Sequence, residues 1–218
     1  MKDQKKGTYF ILPIILWLIF VGYTVLVLTV DRQPIGPQNS VVGLAGINAY
    51  FQKLCGSSTA WYEITSLIGK LSFLVVGLFA VLGIGQCIAR RSVRKVNGDI
   101  LLMGALYVLL GGAYVLFEKW IVNYRPMLVD QVLEASYPSS HTMLTCTIMG
   151  AAVVWICRNV GNRRAKVIQC AFMLLMMIAM AVGRLLSGVH WFSDVLGGVL
   201  ISAAFVATYA AAARTIKS

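Results

Sequence analysis

Hydrophobic and polar positions alternate along the chain in long blocks. Six apolar runs, each about the length of a bilayer-crossing helix, are separated by polar segments that carry most of the charge. The predicted spans are 9–30, 67–89, 100–117, 141–157, 167–182 and 195–213. The pattern therefore predicts an all-α, polytopic membrane protein with six transmembrane helices, which form a single domain over residues 1–218.

The first polar connection, 31–66, is the longest of these segments. Its early part is rich in Pro, Gly, Asn and Gln, and residues 41–54 have the mixed polarity of a helix that lies at the membrane interface. Trp61 and Tyr62 are predicted interfacial anchors. No small-residue cleavage site follows the first run, which is also long for a signal peptide, so we interpret it as an uncleaved span.

The composition excludes a soluble domain, because 59% of the residues are hydrophobic and only 12% are charged. A net charge of +11 would suit a nucleic-acid partner, but the basic residues lie in clusters between apolar runs and do not form one polar face. The partners predicted instead are membrane lipids. The five cysteines form no CxxC pair, so neither a disulfide framework nor a zinc site is expected.

The basic clusters also predict the orientation of the chain in the membrane. Thirteen of the 19 Lys and Arg residues fall at the chain ends or in the loops after the second and fourth spans. They are Lys2, Lys5, Lys6, Arg90, Arg91, Arg94, Lys95, Arg158, Arg163, Arg164, Lys166, Arg214 and Lys217. The positive-inside rule then predicts that both termini are cytoplasmic and that 31–66, 118–141 and 183–194 face outward. Short loops fit a bacterial cytoplasmic membrane.

Residues 183–194 carry the first candidate for chemistry. Arg184, His190 and Asp194 follow one another at intervals of six and four residues. On a helix, His190 and Asp194 would share one face and touch. A carboxylate beside an imidazole fixes its tautomer and makes the other ring nitrogen a better nucleophile, and an arginine suits a phosphate.

Residues 118–141 carry the second candidate and are predicted to lie on the same side. Ser139, Ser140 and His141 open the fourth span, where a serine can cap the helix and its first amides can bind an anion. Arg125 can reach the same point. Two arginines, the serines and helix amides describe a pocket for a dianion, with phosphate as the obvious ligand.

Two histidines in such a pocket can divide the work of phosphate hydrolysis. We interpret His190, with Asp194 as its partner, as the nucleophile that forms a phosphohistidine. His141 would protonate the leaving oxygen and then activate water. This scheme needs no metal and no cofactor. Asp130 and Glu134 lack ligand spacing with the histidines, and we interpret them as solvated loop charges.

Three motifs in this order resemble the signature of the type-2 phosphatidic acid phosphatase family. They are Arg125-Pro126, Pro138-Ser139-Ser140-His141 and Arg184-x5-His190-x3-Asp194. The family pattern is Lys-x6-Arg-Pro, Pro-Ser-Gly-His and Ser-Arg-x5-His-x3-Asp. Its members are membrane lipid phosphatases and soluble acid-phosphatase relatives, and the six-span plan fits the membrane branch. The resemblance implies that Arg125, Arg184 and Ser139 hold phosphate, and we count Ser140 as a further phosphate-binding residue.

The chain departs from the family pattern at three positions. Ser140 stands where the family usually has Gly, and Gly183 stands where Ser precedes the arginine. The family lysine is out of register, because Lys119 is one residue too close to Arg125 and a helix turns about 100° per residue. Either a one-residue deletion in the loop after Lys119 returns this lysine to the family position, or Lys70 in the second span supplies the charge.

The sequence therefore predicts an integral-membrane lipid phosphatase acting at the outer membrane face. Undecaprenyl pyrophosphate is the first candidate substrate, by family analogy alone. Phosphatidylglycerol phosphate and phosphatidic acid are the alternatives. A lipid phosphotransferase and a non-catalytic lipid-headgroup binder or transporter are the competing functions.

Overall fold

A computed structural model describes residues 7–128 and 131–216 of the chain. Seven α-helices lie wholly within these residues, and no strand forms among them. The helices are α1 (Ile11–Thr29), α2 (Ala45–Cys55), α3 (Thr59–Arg90), α4 (Gly98–Lys119), α5 (Ser140–Asn159), α6 (Arg163–Leu186) and α7 (Phe192–Thr215). All except α2 are long and apolar enough to cross a membrane, so the predicted all-α, six-span fold is confirmed. Lys2, Lys5, Lys6, Asp130 and Lys217 lie outside the described residues.

Helix α3 begins earlier than the sequence pattern predicted. Ser58 caps its first turn by accepting a hydrogen bond from the Trp61 amide, and the helix runs from Thr59 to Arg90. The predicted loop 31–66 is therefore too long by about two helical turns. Residues 59–66 are more polar than the span that follows, so the sequence pattern did not indicate that they continue its helix. Helix α2 lies within the remaining connection, close to the predicted 41–54, and its position at the membrane interface stays a prediction.

Helices α5 and α7 form the centre of the bundle. They pack against each other, and α1, α3, α4 and α6 surround them. The outer helices expose apolar side chains such as Leu74, Ile168 and Leu175, as expected of surfaces that contact acyl chains. The enclosed core includes Tyr137, whose ring packs against Phe20 and Phe117 and whose hydroxyl lies 2.7 Å from Thr24 Oγ1.

Alternating helix directions bring the two candidate segments to the same end of the bundle. That end contains the last residues of α4 and α6, the first residues of α5 and α7, and the whole of α2, which packs against α6 and α7. Residues 118–141 and 183–194 therefore meet, as the topology prediction required. The opposite end carries the basic residues Arg158, which pairs with Asp99, and Arg214, which lies over the Tyr9 ring.

Gly183 explains one departure from the family pattern. A Cβ atom at this position would lie 2.5 Å from Thr65 Cγ2 and 2.9 Å from Trp61 Cε3, so α3 and α6 approach each other too closely for any side chain. A serine does not fit here unless the Thr65 or Trp61 side chain, or one of the helices, shifts. The glycine therefore sets the position of the following residue, Arg184, relative to α3.

We expect Gly183→Ser to lower the apparent Tm in detergent and to reduce kcat together with it. Overpacking of this kind costs roughly 1–3 kcal/mol and would displace Arg184. Gly104→Ser is the matched control, because a Cβ at Gly104 meets no atom within 4 Å. Equal thermal stability of the two variants would contradict this account of Gly183.

Candidate active site

Arg184 lies in the last turn of α6 and is completely buried. Its guanidinium carbon lies 5.5 Å from the centroid of the Tyr62 ring, yet none of its three guanidinium nitrogens has a hydrogen-bond partner within the described protein. A buried guanidinium without partners is costly unless an anion occupies its donors. The side chain is therefore suited to bind a ligand and does not stabilise the bundle on its own.

His190 lies in the short connection between α6 and α7. The preceding turn requires Gly188, whose φ of 70° is unfavourable for other residues and whose Cβ would collide with the backbone of Gly56. The expectation that His190 and Asp194 share a helical face is wrong, because α7 begins only at Phe192. The chain instead turns sharply and directs the buried His190 ring toward the arginines.

Ser136 separates His190 from Asp194. The distance from His190 Nδ1 to Asp194 Oδ2 is 3.9 Å, which is too long for a hydrogen bond. Ser136 Oγ lies 3.0 Å from Nδ1 and donates to Oδ2 at 2.5 Å. All three side chains are buried. The sequence predicted a direct pair of His190 and Asp194, whereas the structure has Ser136 between them. The sequence analysis did not identify Ser136.

Further hydrogen bonds hold the Asp194 carboxylate in place. It accepts from the Trp191 amide at 2.9 Å, which caps α7, and from Asn123 Nδ2 at 3.2 Å. Ser193 also contacts the carboxylate and, through its amide and hydroxyl, the buried side chain of Asn48 in α2. Helix α2 is thus joined to the site by buried polar contacts. No spacing in the sequence could have identified Asn48 or Asn123.

Residues 123–125 pair with residues 134–136, and this pairing positions both Arg125 and Ser136. Tyr124 and Ala135 form an antiparallel bridge, with hydrogen bonds from the Arg125 amide to the Glu134 carbonyl and from the Ser136 amide to the Asn123 carbonyl. Arg125 Nη2 also pairs with Glu134 Oε2 at 3.2 Å, while its Nε has no partner. Glu134 is therefore an ion-pair partner of Arg125 as well as a partly solvated loop charge, since 40% of its side chain is exposed.

The start of α5 lies directly beside Asp194. The Ser139 amide donates to the Asp194 carbonyl at 2.9 Å, and Ser139 Oγ accepts from Thr142. Ser139 occupies the N-cap position, but its side chain makes no capping hydrogen bond, contrary to expectation. His141 follows in the first turn, where its ring packs against Gly69, at which a Cβ would lie 3.2 Å from His141 Cδ2.

An apolar groove opens beside His141 between α3, α4 and α5, and we call it the α3–α5 groove. Its volume is about 510 Å³. The wall consists of Ser66, Gly69, Lys70, Phe73, Gly111, Tyr114, Ser140, His141, Leu144 and Thr145. Lys70 is therefore brought close to a candidate catalytic residue. Lys119 is the last residue of α4, and its side chain is exposed.

Most of the unpartnered buried polar atoms among the described residues belong to three side chains of the candidate site. There are nine such atoms in the described part of the chain, and five of them belong to Arg125, Arg184 and His190. Burial, together with the charges of Arg125 and Arg184, holds the pKa of His190 well below its usual value. The ring is therefore neutral near pH 7, and its Nε2 is free. Residues 7–128 and 131–216 contain no group of three or more His, Cys, Asp or Glu side chains placed to share a metal ion.

The fold and site define a polytopic membrane protein with buried, unpartnered guanidinium and imidazole nitrogens. The profile of the PAP2 superfamily matches residues 101–217, about half of the chain and all of the candidate motifs, and the protein belongs to this superfamily. The resemblance inferred from the sequence is thereby confirmed.

The same fold occurs in a solved structure. It is the transmembrane PAP2-type phosphatidylglycerolphosphate phosphatase from Bacillus subtilis, with a TM-score of 0.68 and 19% sequence identity over 94% of this chain and 98% of that one. A search of curated proteins gave no significant match.

Proposed function

We propose that the protein is a metal-independent lipid phosphatase whose nucleophile is Nε2 of His190. The observation that carries this proposal is the buried, unpartnered Nε2 among the unpartnered guanidinium nitrogens of Arg184 and Arg125. A phosphate there would receive charge-assisted hydrogen bonds on its oxygens and a nucleophile on its phosphorus. Family membership makes this chemistry the natural use of the pocket.

The reaction would proceed in two displacements. In the first, a P–N bond forms as the bond from phosphorus to the leaving oxygen breaks. His141, which must be protonated when the anionic substrate is bound, gives a proton to that oxygen and becomes neutral. In the second, His141 takes a proton from water, whose oxygen attacks phosphorus as the P–N bond breaks and inorganic phosphate is released. Arg125, Arg184 and Ser139, with Ser140 beside them, would hold the other phosphate oxygens throughout.

The α3–α5 groove supports a lipid as the leaving group. Its wall is predominantly apolar, and it includes His141, the proposed acid. An acyl or prenyl chain in the groove would put the scissile oxygen within reach of His141. Undecaprenyl pyrophosphate remains the first candidate substrate. The structural neighbour acts on phosphatidylglycerolphosphate, which makes that lipid the leading alternative, before phosphatidic acid.

The location that we propose is the outer face of a bacterial cytoplasmic membrane, with both termini in the cytoplasm. Arg158 and Arg214 lie at the end of the bundle opposite the site, in agreement with the positive-inside rule. Labelling of single cysteines from outside the cell tests this orientation. The half-buried Cys55 at the outer end and the exposed Cys157 at the inner end would need to be replaced first.

Lys70 and Lys119 are expected to differ in their importance for turnover. Lys70 lines the groove beside His141, whereas Lys119 is exposed at a helix end. If Lys70 binds a substrate phosphate, Lys70→Ala should lower kcat/KM by about 10-fold or more, as for loss of one charged hydrogen bond. Lys119→Ala, its matched control, should change kcat/KM less than 2-fold. A larger loss in Lys119→Ala would make Lys119 the family lysine.

The first test is phosphate release by the purified protein in detergent with excess chelator. The panel comprises undecaprenyl pyrophosphate, phosphatidylglycerol phosphate and phosphatidic acid, each also assayed with His190→Ala. Release that persists with chelator and disappears in the variant supports the proposal, and the panel ranks the lipids. Loss of release with chelator would refute metal independence. Binding without release would favour a headgroup binder, and transfer to an added alcohol in preference to water would favour a phosphotransferase.

A further inference from the structure

We propose that Ser136 is a positioning residue that connects Asp194 to His190 and determines which ring nitrogen of His190 carries the proton. This inference rests on the proposed function, because it concerns the nucleophile of that reaction. Its basis is the geometry of three buried side chains, in which Ser136 Oγ is within hydrogen-bond distance of both His190 Nδ1 and Asp194 Oδ2. The imidazole and the carboxylate themselves are 3.9 Å apart.

The direction of the two hydrogen bonds follows from the number of protons available. A serine hydroxyl has a single proton, and an ionised carboxylate can only accept. Since Oδ2 must receive the Ser136 proton, Ser136 Oγ can only accept from His190 Nδ1. Nδ1 therefore carries a hydrogen, and Nε2 keeps a lone pair. Asp194 acts on the imidazole through the serine.

The resulting tautomer is the one that the proposed reaction needs. Nε2 is the ring nitrogen without a partner, and only its unprotonated form can attack phosphorus. In the opposite tautomer the proton would occupy the attacking atom. When the ring becomes positively charged in the phosphohistidine, the hydroxyl dipole, oriented by Asp194, still accepts from Nδ1 and stabilises that charge.

The backbone around Ser136 fixes the hydroxyl in this position. Its amide donates to the Asn123 carbonyl at 2.9 Å, and the next residue, Tyr137, lies in the bundle core. Asn123 Nδ2 in turn donates to Asp194 Oδ1 at 3.2 Å. Because the serine is only 2% exposed, bulk water does not compete for its hydrogen bonds. The three groups therefore remain in one arrangement.

A matched pair of variants, Ser136→Thr and Ser136→Val, isolates the hydroxyl. Threonine and valine have nearly the same shape, so both introduce the same extra bulk at this buried position, and only threonine keeps the hydroxyl. We expect kcat of Ser136→Val to be at least about 100-fold below that of Ser136→Thr, as expected for a wrongly protonated imidazole. KM should be similar, because the arginines are unchanged. Equal kcat values in the two variants would overturn the proposal.

The tautomer can also be observed directly, without turnover. The chain contains only two histidines, so ¹⁵N-histidine labelling of untagged protein gives signals from His141 and His190 alone, and His141→Gln assigns them. We expect His190 to be protonated on Nδ1 in the native protein and in Ser136→Thr. In Ser136→Val we expect a shift toward protonation on Nε2. An unchanged His190 tautomer in Ser136→Val would overturn the proposal.

A double-mutant cycle separates the connection through Ser136 from a direct effect of Asp194. If Asp194 acts through the serine, Asp194→Ala should cost little further activity in the Ser136→Val background, because the connection is already broken. Because Asp194 also caps α7, the apparent Tm of each variant is measured with kcat. Additive losses of kcat in variants that remain folded would show that Asp194 acts without the serine. Failure of this proposal would leave phosphate release dependent on His190. Failure of the proposed function would instead appear as release that persists in His190→Ala, or as no release by the native protein.

Discussion

Replacing His190 by glutamine is expected to reduce phosphate release by at least about 10⁴-fold, the scale seen when a nucleophile is removed from a covalent mechanism. Glutamine is close in size to histidine, and its amide can still donate to Ser136 Oγ, so the buried site should retain its packing. The reason for the loss is that glutamine has no ring nitrogen to replace Nε2, the unpartnered atom that the proposed mechanism uses to attack phosphorus. Steady-state phosphate release from the best lipid of the panel measures the effect.

The control for this prediction is His141→Gln, which removes the proposed acid and keeps the nucleophile. With an aryl phosphate, whose leaving group needs no proton, the first displacement should remain fast in His141→Gln while hydrolysis of the intermediate slows. A labelled, acid-labile phosphohistidine should therefore accumulate in His141→Gln and not in His190→Gln. Labelling of His190→Gln under these conditions would assign the nucleophile to another residue.

Replacing Arg184 by methionine should make the ligand-free protein more stable and nearly inactive at once. The native guanidinium is buried without a partner, and a methionine of similar length would remove that cost, which is roughly 1–3 kcal/mol. The same change removes the donors that hold the transferred phosphate, so kcat/KM should fall by about 10²-fold to 10³-fold. Apparent Tm in detergent and phosphate release measure the two effects.

Arg158→Met is the matched control for the change in stability. Arg158 Nε pairs with the buried Asp99 at 3.0 Å, so its removal leaves a carboxylate unpaired and should lower Tm. Orthovanadate, a phosphate analogue, should raise the Tm of the native protein and of Arg158→Met, and should leave Arg184→Met unchanged. A lower Tm in Arg184→Met than in the native protein would show that Arg184 has a structural role.

The site and the stability of the bundle thus depend on different contacts. The core is held by aromatic packing around Tyr137 and by small residues that allow close approach of helices, as at Gly183. The pocket contains unpartnered donors that a soluble or membrane core would normally exclude. Such an arrangement is expected where the missing partner is a ligand. It explains why we expect changes in the pocket to affect activity and stability in opposite directions.

The sequence by itself determined the six spans, the common end of the two candidate segments and the family. A bilayer requires long apolar helices, so the length of the apolar runs was sufficient to identify the spans. Because successive loops lie on alternate sides of the membrane, the order of the loops was sufficient to place both candidate segments on the same side. Arg184, His190, Asp194, Arg125 and His141 were identified because charged or titratable residues are rare next to apolar runs.

Only the tertiary structure decided which groups contact one another within the site. Ser136, Asn123 and Asn48 are ordinary polar residues of loops and a surface helix, and they act through contacts distant in sequence, which no local spacing encodes. Because the chain turns at Gly188, His190 lies outside the helices. The backbone pairing of 123–125 with 134–136 places the Ser136 hydroxyl between the His190 imidazole and the Asp194 carboxylate. The residue types indicated the chemistry because few charged or titratable side chains are tolerated at buried positions. Hydrogen bonds, by contrast, depend on atomic positions to within a few tenths of an ångström, and only the packed helices define those positions.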